Sequence, residues 1–107
     1  MDIGNRILEI RKASDMTARE LSERIGVSPS FISAVEHNDS KLSLATLGKI
    51  CQALDVTLAT FFNQEASAVD AKLISTISIL PEDQKKHLLH FLEGIAKSEN
   101  DNDEGKR

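Results

Sequence analysis

The sequence predicts an all-α fold, with a five-helix domain followed by a helical hairpin. Apolar residues recur three and four positions apart along most of the 107 residues, and this spacing places them on one face of an α-helix. No stretch alternates apolar and polar residues over the about four to eight positions of a half-buried strand. Residues 17–36 read as two short helices that meet at a tight turn on Gly26.

The first helix is predicted from just after Asp2 to about Ala13. The carboxylate of Asp2 can accept hydrogen bonds from the free amides of a first turn. Ile3, Ile7 and Ile10 follow at spacings of four and three. They form an apolar stripe, so this helix should bury one face against the rest of the domain.

The second helix is predicted to begin at Thr17. The hydroxyl of Thr17 and the carboxylate of Glu20, three residues later, can form a capping box. Leu21 and Ile25 lie on one face of this helix, and that face should be buried. Gly26 ends the helix, because glycine takes the left-handed conformation that many helix C-termini need.

The third helix is predicted from Pro29 to His37. Ser28 is a good N-cap, and proline is favoured at the first helical position. Ile32 and Val35 should turn inward, onto the buried face of the second helix. The outward face then consists of small residues: Ser30, Ser33 and Ala34.

Two more helices complete the predicted domain. An exposed loop at 37–42 leads to a helix from Ser43 to Leu54, and a short helix from Leu58 to Phe62 follows. In this last helix, either Phe61 or Phe62 should close the core.

After Asn63 the sequence predicts two further helices, on either side of Pro81. Two short amphipathic helices bury little apolar surface against each other, so they need either the first domain or a second copy of the chain to cover them. Symmetric self-pairing is the commoner solution. The residues expected at this dimer contact are Leu73, Ile77, Leu80, Leu88, Phe91, Leu92 and Ile95. The expected division is a five-helix domain at 1–64, an oligomerisation segment at 65–97 and a disordered polar tail at 98–107.

The two short helices and their surroundings resemble the Cro/CI-type (XRE, lambda-repressor-like) helix-turn-helix family over about residues 3–62. The matching segments outside the two helices are 3–7, 10–12 and 47–56. The resemblance implies a lambda-repressor-like domain whose third helix is the recognition helix for double-stranded DNA. Family members commonly have glycine where this chain has Asp15, Asn38 and Asp55, and these residues tolerate left-handed turns.

The resemblance also implies which residues contact DNA and which hold the domain together. Arg11 and Glu36 occupy the positions of a buried ion pair that ties the first helix to the recognition helix; the alternative is two unrelated surface charges. Phe31 can contact thymine methyl groups or pack on the loop at 37–42. The expected DNA contacts are Thr17, Ala18, Ser28, Pro29, Ser30, Phe31, Ser33, Ala34, His37, Asn38 and Lys41.

The charge of the predicted domain is low for a DNA-binding protein. Residues 1–62 hold seven basic and eight acidic residues, a net charge of about −1, whereas DNA-binding domains are usually basic. Phosphates can still be held by helix N-termini, whose free amides favour anions. We therefore expect modest non-specific affinity for DNA.

Several other kinds of site are not expected. The single cysteine, Cys51, lies on an apolar stripe and should be a buried, reduced thiol in a cytoplasmic protein. No apolar stretch approaches the ~18 residues of a membrane span. His87, His90 and Glu93 recur at helical spacing but lack a fourth metal ligand. The sequence predicts no cofactor, no metal and no catalytic group, so the protein should not be an enzyme.

Two functional hypotheses remain open from the sequence. In the first, the protein is a sequence-specific transcription regulator, a repressor that binds an inverted-repeat operator as a homodimer. In the second, the same fold is an interaction protein, such as a heterodimer partner, an antagonist or an antitoxin, and DNA binding is secondary. The recognition-helix pattern favours the first hypothesis, and the absence of a basic patch favours the second.

Overall fold

A computed structural model describes the backbone of residues 1–105 and the side chains of residues 1–97. This part of the chain contains seven α-helices and no strand, so the predicted all-α class is confirmed. The first five helices begin and end within one residue of the predicted positions. The helices are α1 (Ile3–Ala13), α2 (Ala18–Ile25), α3 (Pro29–Glu36), α4 (Leu44–Ala53), α5 (Leu58–Phe62), α6 (Ala68–Ser78) and α7 (Glu82–Gly105).

Side-chain caps define where the first five helices begin. In each case an oxygen of the residue before the helix accepts a hydrogen bond from an amide of the first turn. The capping residues are Asp2, Thr17, Ser28, Ser43 and Thr57. The capping box predicted at Thr17 is present, and the Glu20 amide donates to Thr17 Oγ1 at 3.0 Å.

Four residues in the connections adopt the left-handed backbone conformation. Gly26 has a φ of 76°, and Asp15, Asn38 and Asp55 have φ values of 53°, 59° and 57°. Aspartate and asparagine are the side chains that tolerate this conformation best. The tight turns at Asp15, Asn38 and Asp55 are therefore formed without glycine.

The first five helices contribute to one apolar core. Among its most deeply buried side chains are Ile7, Ile10, Leu21, Ile32, Val35, Ile50, Leu54 and Phe61. Phe61 rather than Phe62 closes the core at α5, since Phe61 is fully buried and Phe62 is 44% exposed. Ser22 is also fully buried, and its hydroxyl donates to the Arg19 carbonyl at 2.6 Å.

Arg6 is a buried cation that the sequence did not lead us to expect. Its side chain donates to four backbone carbonyls, from Nε to Phe61 at 3.0 Å, from Nη1 to Ala66 at 2.8 Å, and from Nη2 to Thr60 at 3.1 Å and Asn63 at 3.2 Å. Carbonyls at a helix C-terminus lack helical partners and carry partial negative charge. The guanidinium therefore completes the end of α5 and ties the turn after it to α1.

The first compact unit of the chain extends to Ser75, whereas a boundary after residue 64 was expected. The reason is the start of α6, where Ala68 and Ala71 are buried in the same core. Lys72 Nζ also donates to the Leu54 carbonyl at 2.9 Å. The large side chain of Val69, by contrast, is 59% exposed. Small residues bring α6 onto the core instead.

The second compact unit begins at Thr76 and contains all of α7. Glu82 and Asp83 lie in the first turn of α7, where acidic side chains stabilise a helix. The expected disordered tail at 98–107 falls largely outside the described residues: α7 continues to Gly105, but side chains from 98 onward and residues 106–107 are not described. No helix in the described part of the chain is both long and apolar enough to cross a membrane.

Candidate DNA interface

The α2–turn–α3 segment forms two short helices joined by a glycine turn. Gly26 caps α2 in the left-handed conformation, and its amide donates to the Ser22 carbonyl. Ser28 caps α3 directly afterwards, and Pro29 is the first residue of α3. Because so few residues separate the caps, the second helix begins at once and changes direction sharply, as in a helix-turn-helix motif.

The exposed face of α3 is polar and carries few charges. Ser30, Ser33 and His37 are exposed, and their spacing of three and four places them on one side of the helix. Ile32 is fully buried on the other side. Within α3, all of which is described, the only formally charged residue is Glu36, and it is 7% exposed. This face therefore offers hydroxyl groups and one imidazole to a ligand.

The capping residues of the motif have their oxygens engaged inside the protein. Thr17 Oγ1 accepts from the Glu20 amide and donates to Glu20 Oε1 at 3.1 Å. Ser28 Oγ accepts from the Phe31 amide at 3.1 Å, and the hydroxyl of Ser30 donates to Ser28 Oγ at 3.5 Å. Both caps sit at helix N-termini, where partial positive charge attracts phosphate. They orient these N-termini.

Three of the expected DNA contacts lie partly in the core. Ala18 and Phe31 are half-buried and pack against the core residues. Ala34 is also half-buried. The ring of Phe31 thus stabilises the domain, and only its exposed part is available to a thymine methyl group.

Asn38 holds the end of α3 against the start of α1. Its Oδ1 accepts from the Gly4 amide at 3.2 Å, and its Nδ2 donates to Asp2 Oδ1 at 2.8 Å. The hydrogen bond from Asn38, assisted by one from the Asn5 amide, lowers the pKa of Asp2. The amide of Asn38 is therefore engaged inside the protein, whereas the side chain of Lys41 in the following loop is exposed.

Gly4 lies where α1 approaches the last turn of α3 most closely. A Cβ atom added to Gly4 would lie 2.5 Å from the Val35 carbonyl oxygen, 2.7 Å from that of Glu36 and 2.6 Å from Asn38 Oδ1. Real Cβ atoms do not approach backbone oxygens so closely. Only glycine allows this packing, which fixes the C-terminal end of α3.

Arg11 and Glu36 form a bidentate ion pair. Arg11 Nε lies 2.6 Å from Glu36 Oε2, and Nη2 lies 3.0 Å from Oε1. The two side chains are 13% and 4% exposed, and Arg11 Nη1 also donates to the Met16 carbonyl at 2.9 Å. The hydrogen bonds from Arg11 to the carboxylate of Glu36 raise the pKa of Arg11. The pair holds α1 to α3 and neutralises a carboxylate close to the candidate interface.

The apolar residues expected at a dimer contact are largely uncovered in each unit taken alone. Leu73 on α6 is 56% exposed. On α7, Phe91, Leu92 and Ile95 are 63%, 49% and 44% exposed. Ile77, Leu80 and Leu88 are half-buried. Exposed apolar side chains grouped in this way normally mark a surface that a partner covers.

Cysteine and histidine chemistry adds no second site in the described residues. Cys51 is 2% exposed, and burial raises the pKa of its thiol to about 11. No three histidine, cysteine, aspartate or glutamate side chains among the residues described are placed to share a metal ion. The α3 surface is therefore the candidate site that the rest of the fold organises.

Known proteins share this arrangement. The sequence profile of the family described as Helix-turn-helix matches residues 7–61. The chain is 32% identical over 99 residues to the HTH-type transcriptional regulator SinR of Bacillus licheniformis, covering 85% of this chain and 89% of that protein. SinR of Bacillus subtilis (strain 168) is 31% identical with the same coverage. A solved SinR protein/SinI protein complex matches with a TM-score of 0.55 and 27% identity, over 89% of this chain and 98% of that chain.

Proposed function

The chain belongs to the helix-turn-helix family of DNA-binding transcriptional regulators, and from this premise we propose that it is a repressor that binds an inverted-repeat operator as a homodimer. This family is one of regulators and not of enzymes. In the proposal, α3 lies in the major groove, with Ser30, Ser33 and His37 toward the DNA. The N-termini of α2 and α3 hold phosphates.

The observation that carries the proposal is the two-sided character of α3. Its inner side is fixed by buried Ile32 and by the ion pair of Glu36, while its outer side presents the exposed polar side chains of Ser30, Ser33 and His37. A rigid helix with small polar residues on its outer side fits the wide major groove of B-DNA closely. The engaged carboxylate of Glu36 does not repel the phosphates.

Variants of the outer side test the DNA contact. We expect Ser33→Glu to lower affinity at least about 100-fold, because a carboxylate against the groove is repelled by phosphates. Gln52→Glu adds the same charge to an exposed position of α4 and should change affinity little. The measurement is fluorescence anisotropy with a duplex selected from a random library by the unaltered protein, and circular dichroism verifies folding. Equal binding by the two variants would contradict the proposed docking.

The homodimer is proposed because the exposed apolar residues of α6 and α7 would be buried, and so removed from water, at an interface between two copies of the chain. A two-fold dimer would set its recognition helices about 34 Å apart, one turn of DNA, and would double the few phosphate contacts of a nearly neutral domain. Light scattering should give a dimer for the full chain and a monomer for the Phe91→Ser, Ile95→Ser double variant. Leu44→Ser removes a 69% exposed side chain from the first unit and should leave the dimer intact. A monomeric full chain at micromolar concentration refutes this part of the proposal.

A heterologous protein partner is the second candidate for the same apolar residues. The observation that favours it is the likeness to a chain crystallised as a SinR protein/SinI protein complex. A partner that covered Phe91 and Ile95 would compete with self-association and thereby lower affinity for an inverted repeat. If the full chain is monomeric in the presence of a co-purified protein and gains DNA affinity when that protein is removed, the second candidate is supported; unchanged or lower affinity after removal contradicts it.

A further inference from the structure

His37, the C-cap of α3, has one ring nitrogen held inside the protein. Its Nδ1 lies 2.7 Å from the carbonyl oxygen of Ser33, one helical turn earlier. A carbonyl oxygen only accepts hydrogen bonds, so Nδ1 must carry the proton and donate. This contact fixes the tautomer of the neutral ring and leaves Nε2 as an acceptor. Within the described part of the chain, Nε2 has no hydrogen-bond partner.

Protonation of His37 would change only the outward side of the ring. Nδ1 donates to the Ser33 carbonyl in both the neutral and the charged form, so no internal hydrogen bond is lost when the ring gains a proton. Nε2 changes from an uncharged acceptor to a charged donor. His37 lies four residues after Ser33 and seven after Ser30, so the three share one face of the helix and this change occurs on the proposed DNA side of α3.

The charged groups of the neighbouring segments leave this ring open to an external anion. The carboxylate of Glu36 is held by Arg11. The carboxylate of Asp2, at the start of α1, accepts from Asn38. The loop after His37 carries one acidic and one basic residue, Asp39 and Lys41, and both are exposed. The nearby carboxylates at 2 and 36 are thus already engaged.

We propose that His37 binds a DNA phosphate in its protonated form, so that operator binding takes up a proton and strengthens as the pH falls. The inference rests on the proposed function, because it assumes that the outer side of α3 faces DNA. Phosphate favours the charged ring through both its charge and its acceptor oxygens. Histidine is the side chain that changes charge between about pH 5 and 8, whereas carboxylates and lysines keep their charge there.

Linkage sets the size and the sign of the effect. A group that is more protonated in the complex than in the free protein raises affinity at low pH, and the gain is lost as the pH rises. One proton taken up per protomer allows at most about a tenfold change in affinity per pH unit, and a dimer allows at most about a hundredfold. Serine and backbone contacts contribute no pH dependence in this range.

The test measures the affinity of the full chain for a selected duplex between about pH 5.5 and 7.5 at constant ionic strength. The unaltered protein should bind at least about tenfold more tightly at the lower pH. His37→Gln, which keeps a polar group but cannot be protonated, should bind with no pH dependence. His87→Gln removes an exposed histidine of α7 and should keep the full dependence. Folding of each variant is verified by circular dichroism.

Three results would overturn the inference and leave the proposed function intact. The first two are DNA binding by the unaltered protein that does not vary with pH, and an equal pH dependence in His37→Gln. Affinity that falls as the pH falls would also overturn it, since that sign means that neutral Nε2 accepts from a base amino group. No binding at any pH would instead refute the proposed function. For the unaltered protein, the ¹⁵N shifts of the His37 ring with and without DNA give the same decision without any variant.

Discussion

Gly4→Ala tests how closely the first helix must approach the recognition helix. Alanine would place a methyl group 2.5 Å and 2.7 Å from the carbonyl oxygens of Val35 and Glu36. Those oxygens belong to the backbone of the last turn of α3, so neither can move aside without shifting the helix. The Gly4 amide would also lose its 3.2 Å hydrogen bond to Asn38. We therefore expect α1 to separate from the end of α3.

The magnitude follows from opposing contributions. Alanine in place of glycine in a helix gains at most about 1 kcal/mol. Overpacking costs about 1–3 kcal/mol, and the lost hydrogen bond costs about 1 kcal/mol more. The net effect is a loss of about 1–3 kcal/mol of stability. In a domain of this size each kcal/mol lowers the Tm by about 4–8 °C.

Gly48→Ala is the matched control, because Gly48 is also helical and a Cβ added there meets nothing within 4 Å. It should gain about 0.5–1 kcal/mol from helix propensity alone. The assay is thermal and urea denaturation followed by circular dichroism at 222 nm for both variants. The two substitutions are chemically identical, so opposite signs are predicted from packing only. A stabilised Gly4→Ala protein would refute the reasoning about this contact.

Three further measurements address the side chains that hold the domain together. Arg11→Met and Glu36→Gln should each cost about 3 kcal/mol, and the double variant should cost less than their sum; additive losses in denaturation would show that the charges do not interact. Arg6→Met should lower stability by about 3 kcal/mol because four carbonyls lose their donor. Arg6→Lys should recover only part of this stability, since lysine lacks the planar guanidinium of arginine. Full recovery by lysine would contradict the role given to the four hydrogen bonds of the guanidinium. Cys51, with a pKa raised to about 11 by burial, should be about one-thousandth thiolate at pH 8 and react with a thiol reagent only after unfolding; rapid reaction of the folded protein would show that the core is open.

Local chemistry explains why the helix-turn-helix motif could be predicted closely from the sequence. Thr17 and Ser28 each accept from the amide three residues later, and Gly26 acts on its own backbone. Asp15 and Asn38 have left-handed φ values, and their own side chains are of the types that tolerate this conformation. Interactions of this range depend on neighbouring residues, so a linear sequence contains them.

The features that could not be predicted depend on residues far apart in the chain. Arg6 reads as a surface cation until the carbonyls of α5 and the following turn, more than fifty positions later, are placed beside it. Ala68 and Ala71 belong to the core, but the search for large apolar side chains at helical spacing does not detect close packing by small residues. Asn38 is expected at the DNA, but its side-chain amide donates a hydrogen bond to the carboxylate of Asp2 and accepts one from the backbone amide of Gly4. Position 38 illustrates that a motif predicts where a residue lies better than what its side chain contacts.

In the proposed dimer, each of the two protomers places the outer side of its α3 in the major groove. Ser33→Cys gives that face a reactive thiol, while buried Cys51 stays unlabelled in the folded protein. An iron–EDTA reagent attached at position 33 then cuts the DNA near the groove that it occupies. We predict two clusters of cuts on a selected operator, related by the two-fold symmetry of its inverted repeat and about 34 Å, or one DNA turn, apart. A single cluster, or binding without cuts, would contradict the account.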